Sequence, residues 1–315
     1  MAEQKIIAIV GATGAQGGGV ARAILNDTNG GFRVRALTRD PSSEKARGLA
    51  DAGAEVVSAD VNDEASLARA FEGAYGAFCV TFFWQHMSAE RELTEAANMA
   101  RAAKTAGIRH AIWSTLDDSR QFIPLTDMRM PTLQERYKIP HFDAKAEADR
   151  FFTDAGVPTT FLLTTFYWDN FVHFGAGPKA APDGTYALTM PLGKERLAGI
   201  ASEDIGRCAY GIFNRPDLIG KTVGIAGELL TGGEMAAAMS RALGVTVRYN
   251  EISPDAYRAL GFPGADEMGN MFEFYRDFHR HFEQSRSVAV ARSLNPELQS
   301  FDAWLASNAK SIPLG

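Results

Sequence analysis

Apolar residues follow two rhythms along the first half of this chain. Short, mostly apolar runs at Lys5–Val10, Arg33–Thr38, Glu55–Ser58, Tyr75–Val80, His110–Ser114 and Thr159–Leu163 read as strands. Between them lie stretches whose apolar positions recur at helical spacing: Gly18–Leu25, Ser43–Ala52, Glu64–Phe71, Ala89–Ala106 and His141–Ala155. Ser43 and Asn62 suit helix N-caps, and Gly53, Gly107 and Gly156 stand where helices should stop. Regular strand–helix alternation predicts a parallel sheet covered on both faces, a doubly wound α/β domain, and leaves the strand order open.

The rhythm changes after Leu163. Gly175–Gly184 has the glycine and proline content of a loop. Leu197–Phe213 and Thr222–Ala226 read as further helix and strand that complete the sheet. Gly232–Leu243 and Pro254–Leu260 read as helices. Met271, Phe272, Tyr275, Phe278 and Phe282 recur at helical spacing, and Phe301, Trp304 and Leu305 mark a last helix; both stripes read first as core. The expected division is a domain of residues 1–163, completed by about 197–226, and a smaller α+β substrate-side domain from 164–196 and 227–315.

Composition narrows the function classes. Of 315 residues, 46% are hydrophobic and 22% charged, and the formal net charge is −6. With no cluster of Lys and Arg, neither direct nucleic-acid binding nor an anionic membrane surface is encoded. No apolar run approaches the roughly eighteen residues a membrane span needs. The chain enters a strand almost at once, so no signal peptide is expected. Cys79 and Cys208, the two cysteines, form no disulfide framework, and a cytoplasmic location is expected.

The most specific signal is Ile6–Gly19, an apolar strand running into a turn with glycines at 11, 14 and 17 and then a helix. Gly11 allows a sharp turn, Gly14 lets a pyrophosphate approach bare backbone, and Gly17 lets the helix sit close to the strand. Phosphates would rest on free N–H groups at the positive end of that helix. The order strand–turn–helix predicts a Rossmann-type dinucleotide site at the switch point of the sheet.

The second strand ends in Thr38 and Arg39, where many such folds carry an acid for the ribose. A guanidinium fork there suits a ribose 2′-phosphate, which favours NADP(H), with Lys45 as a weaker second phosphate ligand. Asp40 next door is the competing reading, a ribose ligand for NAD. Asp60 reads either as an adenine contact with Val61 packed beside it or as a turn residue. Thr81, Phe82 and Phe83 follow the fourth strand, on the nicotinamide side. Ser114 and Thr115 end the fifth, and Phe166, Tyr167 and Asn170 follow the sixth, at the carboxyl edge where open sheets bind ligands. His279 and His281 stand two apart on a helix and face different ways, so no metal site is expected.

The pieces GATGAQGG, VRALTRD, AEVVSADVNDEASL, AYGAFCVTFFW, HFDAKAEADRFF and FDAWLASN together resemble the NmrA-like family of atypical short-chain dehydrogenase/reductases, close to its HSCARG-type NADPH-sensor members. The resemblance spans most of the chain. It implies NADP(H) binding through Gly11–Gly17, with turn contacts from Thr13, Ala15 and Gln16 and the 2′-phosphate on Arg39. The wider superfamily carries Tyr-x-x-x-Lys, two groups on one helix face. Here the spacing survives as His141-x-x-x-Lys145 and the phenol is gone. Lys145 would keep the nicotinamide-ribose contact, and His141 is the candidate proton donor, an imidazole being able to titrate near neutrality.

Family members are often described as having lost dehydrogenase activity at this point, whereas related isoflavone-reductase-like enzymes work with the lysine and no tyrosine. Two readings follow. One is an NADPH-dependent reductase of a small aromatic or conjugated substrate. The other is a catalytically weak NADPH redox sensor acting through regulatory protein partners. A homodimer is compatible with both; a direct DNA-binding regulator is the least supported.

Overall fold

The computed structural model describes residues 4–315. By compactness the described residues divide into two units, one of residues 4–118, 140–164 and 203–223, the other of residues 119–139, 165–202 and 224–315.

The first unit holds β1 (Lys5–Ile9), β2 (Phe32–Thr38), β3 (Glu55–Ser58), β4 (Gly76–Cys79), β5 (His110–Thr115) and β6 (Thr159–Leu163). Neighbours among these strands pair in parallel, in the order β6-β5-β4-β1-β2-β3, and Thr222–Gly224 adds a seventh strand beside β6. The order reverses between β1 and β4, the switch point that the glycine turn had suggested. Burial follows position: every residue of β4, β5 and β6 is buried, while the edge strand β3 is partly open. That is why these strands read as continuous apolar runs rather than as alternation.

Helices α1 (Ala15–Asn26), α2 (Glu44–Asp51), α3 (Glu64–Phe71), α4 (Ala89–Thr105) and α5 (Pro140–Asp154) link the strands. Trp113, Phe71, Met99 and Phe152 anchor the core beneath α3, α4 and α5. Gly53, Gly107 and Gly156 follow α2, α4 and α5 with φ of +101°, +68° and +65°, which a glycine accepts without strain. Two local expectations need correction. Helix α1 begins at Ala15, not Gly18: its glycines are weak helix formers, but close packing holds them in the first turn. The N-cap of α3 is Asp63, which accepts from Ser66 N, and Asn62 instead donates to Asp60.

One contact within this unit comes from far along the chain. A Cβ on Gly206, in the helix Ser202–Phe213, would overlap the backbone of Gly19 and Val20 in α1, so the two helices meet glycine against glycine. Arg22 and Glu203 close the same contact with an ion pair at 2.5 Å.

In the second unit, Phe166–Tyr167, Arg196–Ile200 and Glu228–Thr231 form one three-stranded sheet, and Lys179–Ala180, Tyr186–Met190 and Val247–Glu251 form another. Arg196–Ile200 therefore does not complete the large sheet, and the glycine-rich segment expected as loop contains a two-residue strand. Helix Gly232–Leu243 starts at a reciprocal cap between Thr231 and Glu234. The aromatic stripe runs through Ala265–Asp277 into His279–Ser285, with Phe272, Tyr275 and Phe282 buried as core. Among the described residues, no helix is long and apolar enough to cross a membrane.

Candidate functional site

The glycine turn is fixed by backbone contacts. Gly11 has φ +65°, and Gly14 N donates to Gly11 O at 2.8 Å. A Cβ on Gly17 would overlap Gly11 O and stand 2.7 Å from Gly11 C and 2.8 Å from Val10 O, so only glycine lets α1 approach β1 this closely. Gly14 is the N-cap of α1, and no side chain caps the helix there. The first-turn N–H groups thus keep the orientation that binds an anion, with Gly14 and Ala15 exposed beside them. Thr13 is half-buried, and Gln16 and Gly17 are buried within the first turn of α1.

At the end of β2, Arg39 meets the turn after β4. The amide oxygen of Gln85, turned toward the guanidinium, accepts from both terminal nitrogens of Arg39 at 3.0 and 3.1 Å. Asp40 is occupied differently: its Oδ1 accepts from Ser42 N at 2.9 Å and Ser42 Oγ at 2.6 Å, a turn that leads into α2 and lowers the pKa of its carboxyl. Lys45 is exposed in the first turn of α2. Asp60 forms a similar turn, with Oδ1 accepting from Asn62 N at 2.9 Å, and this holds its pKa down; Val61 packs on the core. A fork at the β2 tip and glycines bare of Cβ suit a dinucleotide carrying a 2′-phosphate.

The second part of the site lies between α4, α5 and the end of β4. Lys145 extends from α5 across Trp113, its Nζ 5.4 Å from the ring centre, and donates to Thr81 Oγ1 at 2.5 Å, Thr81 O at 3.3 Å and Glu92 Oε1 at 2.6 Å. The Thr81 hydroxyl donates in turn to Glu92 Oε1. All three side chains are buried, Glu92 completely. Thr81 and Lys145, picked out separately in the sequence, are thus in contact. Glu92 carried no such signal: an acid in the first turn of a helix reads as a partner for the helix dipole.

Around this triad stand Glu95, one turn along α4, and His86. His86 Nε2 is 3.7 Å from a carboxylate oxygen of each glutamate, and neither it nor Glu92 Oε2 has a hydrogen-bond partner. Burial, reinforced by Glu92, pushes the Glu95 carboxyl up to about 7, and burial lowers the pKa of His86. His86, Glu92 and Glu95 are the one group of three metal-capable side chains among the described residues. Their chemistry favours protons over a metal. Ser88 N–H donates to His86 Nδ1 at 3.1 Å, which puts the neutral ring's proton on Nε2, where a metal would need a lone pair. Lys145 also brings to Glu92 the positive charge a cation would supply.

His141 lies on α5 one turn before Lys145. Its ring packs against Phe83, Trp84 and Phe142, with centroids 5.7, 5.1 and 4.8 Å away, so it is buried in an aromatic cluster. Phe83 is buried there and Phe82 is half-exposed. Thr115 Oγ1 and Trp113 Nε1 donate to Asp149 at 2.7 and 2.9 Å, pinning α5 to β5; Asp149 is pushed up to about 7 by burial. Ser114 is buried in β5. Phe166 and Tyr167 belong to the second unit, where they pair with Gly199 and Ile200, and Asn170 opens the short helix after them. Both cysteines are buried, and desolvation pushes the Cys79 thiol up to about 12, which leaves no reactive thiol.

Fold and glycine turn define a Rossmann-type α/β protein. The chain belongs to the NmrA-like family, whose profile matches residues 3–305. It is 30% identical over 286 residues to an NmrA-like family domain-containing oxidoreductase from Cladobotryum sp, covering 85% of this chain and 83% of that one. A similar oxidoreductase from Aspergillus hancockii is 31% identical over 289 residues, covering 86% and 82%. In fold, the chain resembles NmrA, a negative transcriptional regulator, also solved in complex with NADP (TM-score 0.79, 23% identity, 97% and 95% coverage for one form). It also resembles the Citrobacter sp. triphenylmethane reductase, also solved with NADP(H) (TM-score 0.76, 21% identity, 97% and 99% coverage).

Proposed function

We propose that this protein is an NADPH-dependent reductase of a small aromatic or conjugated substrate. The observation that carries the reading is the buried Lys145–Thr81–Glu92 triad, in the same unit as the glycine turn and Arg39. The α1 N-terminus and the Gly11–Gly17 turn would hold the pyrophosphate, Arg39 the 2′-phosphate, and Lys145 a ribose hydroxyl. When bound, the reduced nicotinamide supplies the hydride.

What the chain adds is the proton. Where relatives of the wider superfamily have a phenol beside the lysine, the hydroxyl touching Lys145 is that of Thr81. Thr81 passes its proton to the oxygen or carbon that gains negative charge on the substrate, and Lys145 returns a proton to the Thr81 oxygen, leaving a neutral amine. His141, enclosed by rings, contributes shape and apolar cover in this reading. The names of the curated relatives, oxidoreductases, support redox chemistry.

The test is NADPH oxidation against a panel of quinones, enones and aldehydes. Lys145→Ala should abolish turnover, Thr81→Val should lower it about a hundredfold, and Thr81→Ser should restore most of it. Full activity in Thr81→Val would remove Thr81 from the mechanism.

One observation favours a second reading. All three hydrogens of Lys145 already have partners, as they would in a protein that binds NADPH and reports it through a change of contacts. If no substrate turns over while NADPH, and not NADH, alters capture of a partner protein, the sensor reading takes precedence.

A further inference from the structure

Lys145 can take up a new ligand only by loosening one of its present contacts. Its strongest partner is Glu92, whose Oε1 takes the ion pair at 2.6 Å and whose Oε2 is fully buried without a hydrogen-bond partner. Beside that oxygen are a fixed N–H and a second carboxyl. The N–H is His86 Nε2, oriented by Ser88 and too distant, at 3.7 Å, for a direct hydrogen bond. The carboxyl is that of Glu95, three residues on in the same helix, with oxygen atoms of the two glutamates within 4.8 Å. Two buried carboxyls therefore face one lysine.

We propose that Glu95 is a positioning residue for Lys145 and acts through Glu92. Protonated, Glu95 turns its O–H to Glu92 Oε2, draws off part of that carboxylate's charge and releases Lys145 to a ligand. Ionised, it has no proton to give, and Glu92 keeps its whole charge on the lysine. The inference rests on the reading that Lys145 meets NADP(H), and it adds a reason for the second carboxyl and for the orphaned oxygen.

The charges facing Glu95 agree with this assignment. From its own helix come Glu92 and Arg91, from α5 Lys145, from the turn after β4 His86, and from the end of β3 Asp60. His86 cannot be the titrating partner, since a proton on Nδ1 would break its bond from Ser88. The exchangeable proton is then assigned to Glu95, whose carboxyl burial and the neighbouring Glu92 push up to about 7. Asp149, which burial likewise pushes up to about 7, is held by Thr115 and Trp113 and serves as the control.

The test has two readouts on the full chain. First, the NADPH dissociation constant is measured by tryptophan fluorescence between pH 5.5 and 8.5. The wild type should bind about tenfold more weakly at the high end, the worth of one charge-assisted hydrogen bond. Glu95→Gln should hold the tight value throughout, Glu92→Gln should abolish the dependence while Glu95 is intact, and Asp149→Asn should leave it in place. Second, the Lys145 ammonium resonance of the ligand-free protein, assigned with Lys145→Arg, should move near pH 7 in the wild type and not in Glu95→Gln. A flat wild-type binding profile, or a Glu95→Gln profile like the wild type's, would overturn the proposal. A dependence that survives in Glu92→Gln would show Glu95 acting directly and would remove Glu92 from it. The resonance decides the matter even if NADPH fails to bind or nothing turns over, so its outcome is separate from the reductase reading.

Discussion

Lys145 Nζ lies 2.6 Å from Glu92 Oε1, and the pair is buried between α4 and α5 with Glu92 wholly out of water. Removing the lysine alone would strand a carboxylate in the interior, which costs about 3–5 kcal/mol. Lys145→Met should therefore lower stability in urea unfolding by about that amount, and adding Glu92→Leu should recover most of it. A single variant as stable as wild type would mean that the pair is not buried as described.

Gly17→Ala separates close approach from helix propensity. Alanine is the better helix former by about 1 kcal/mol, yet its Cβ would meet the Gly11 carbonyl head-on. The expected outcome is a net loss of about 1–3 kcal/mol in urea unfolding, together with weakened NADPH binding by fluorescence titration. A stabilised variant would show that the turn has room to spare.

Arg39→Ala tests the choice between cofactors. A charge-assisted contact with a 2′-phosphate is worth about 1.5–3 kcal/mol, so NADPH should bind roughly ten- to a hundredfold more weakly with NADH nearly unchanged. Equal losses for both would assign Arg39 to something other than that phosphate.

Stability should fall as pH rises toward neutrality. Glu95 and Asp149 are raised to about 7 in the folded protein from ordinary values near 4, so the native state holds protons that the unfolded chain has released. Their stabilising contribution is whole below about pH 4 and is lost as pH passes through 7. Thermal unfolding from pH 5 to 8 should show midpoints dropping by several degrees, and Glu95→Gln with Asp149→Asn should flatten that slope. His110 works in the opposite sense at the acid end: burial lowers it to about 4, and its contribution is lost as pH falls below about 6.5 toward 4.

Much of the first unit was legible because its signals are local. An apolar run of five residues, a glycine after a helix and a serine before one each state their structure within a few positions, and β3, α3 and β6 fall where the pattern puts them. The strands Tyr186–Met190 and Val247–Glu251 were not legible in that way. They pair with each other in parallel across a long stretch of chain, and Tyr249 and Asn250 gain their place only through that pairing. Arg196–Ile200 shows the same limit: the sequence reads as helix from Leu197, and the pairing with Glu228–Thr231 that makes this stretch a strand lies far along the chain.

The candidate site divides along the same line. Gly11, Gly14, Gly17 and Lys145 stand in motifs whose spacing is itself the signal. Glu92, Glu95 and His86 are polar residues on an ordinary-looking helix and its approach, and polarity on a helix usually means solvent. Only the packing of α4 against α5 turns them inward, and that is a property of two helices far apart in the chain.

The glycine contact between Gly206 and Gly19 ties the start of the chain's first helix to a helix far along the sequence. A fragment that ends before Ser202 would carry every residue of the glycine turn and lack the helix packed against α1, together with the Arg22–Glu203 ion pair. The turn is written in one short stretch of sequence, and the packing around the helix that follows it is not.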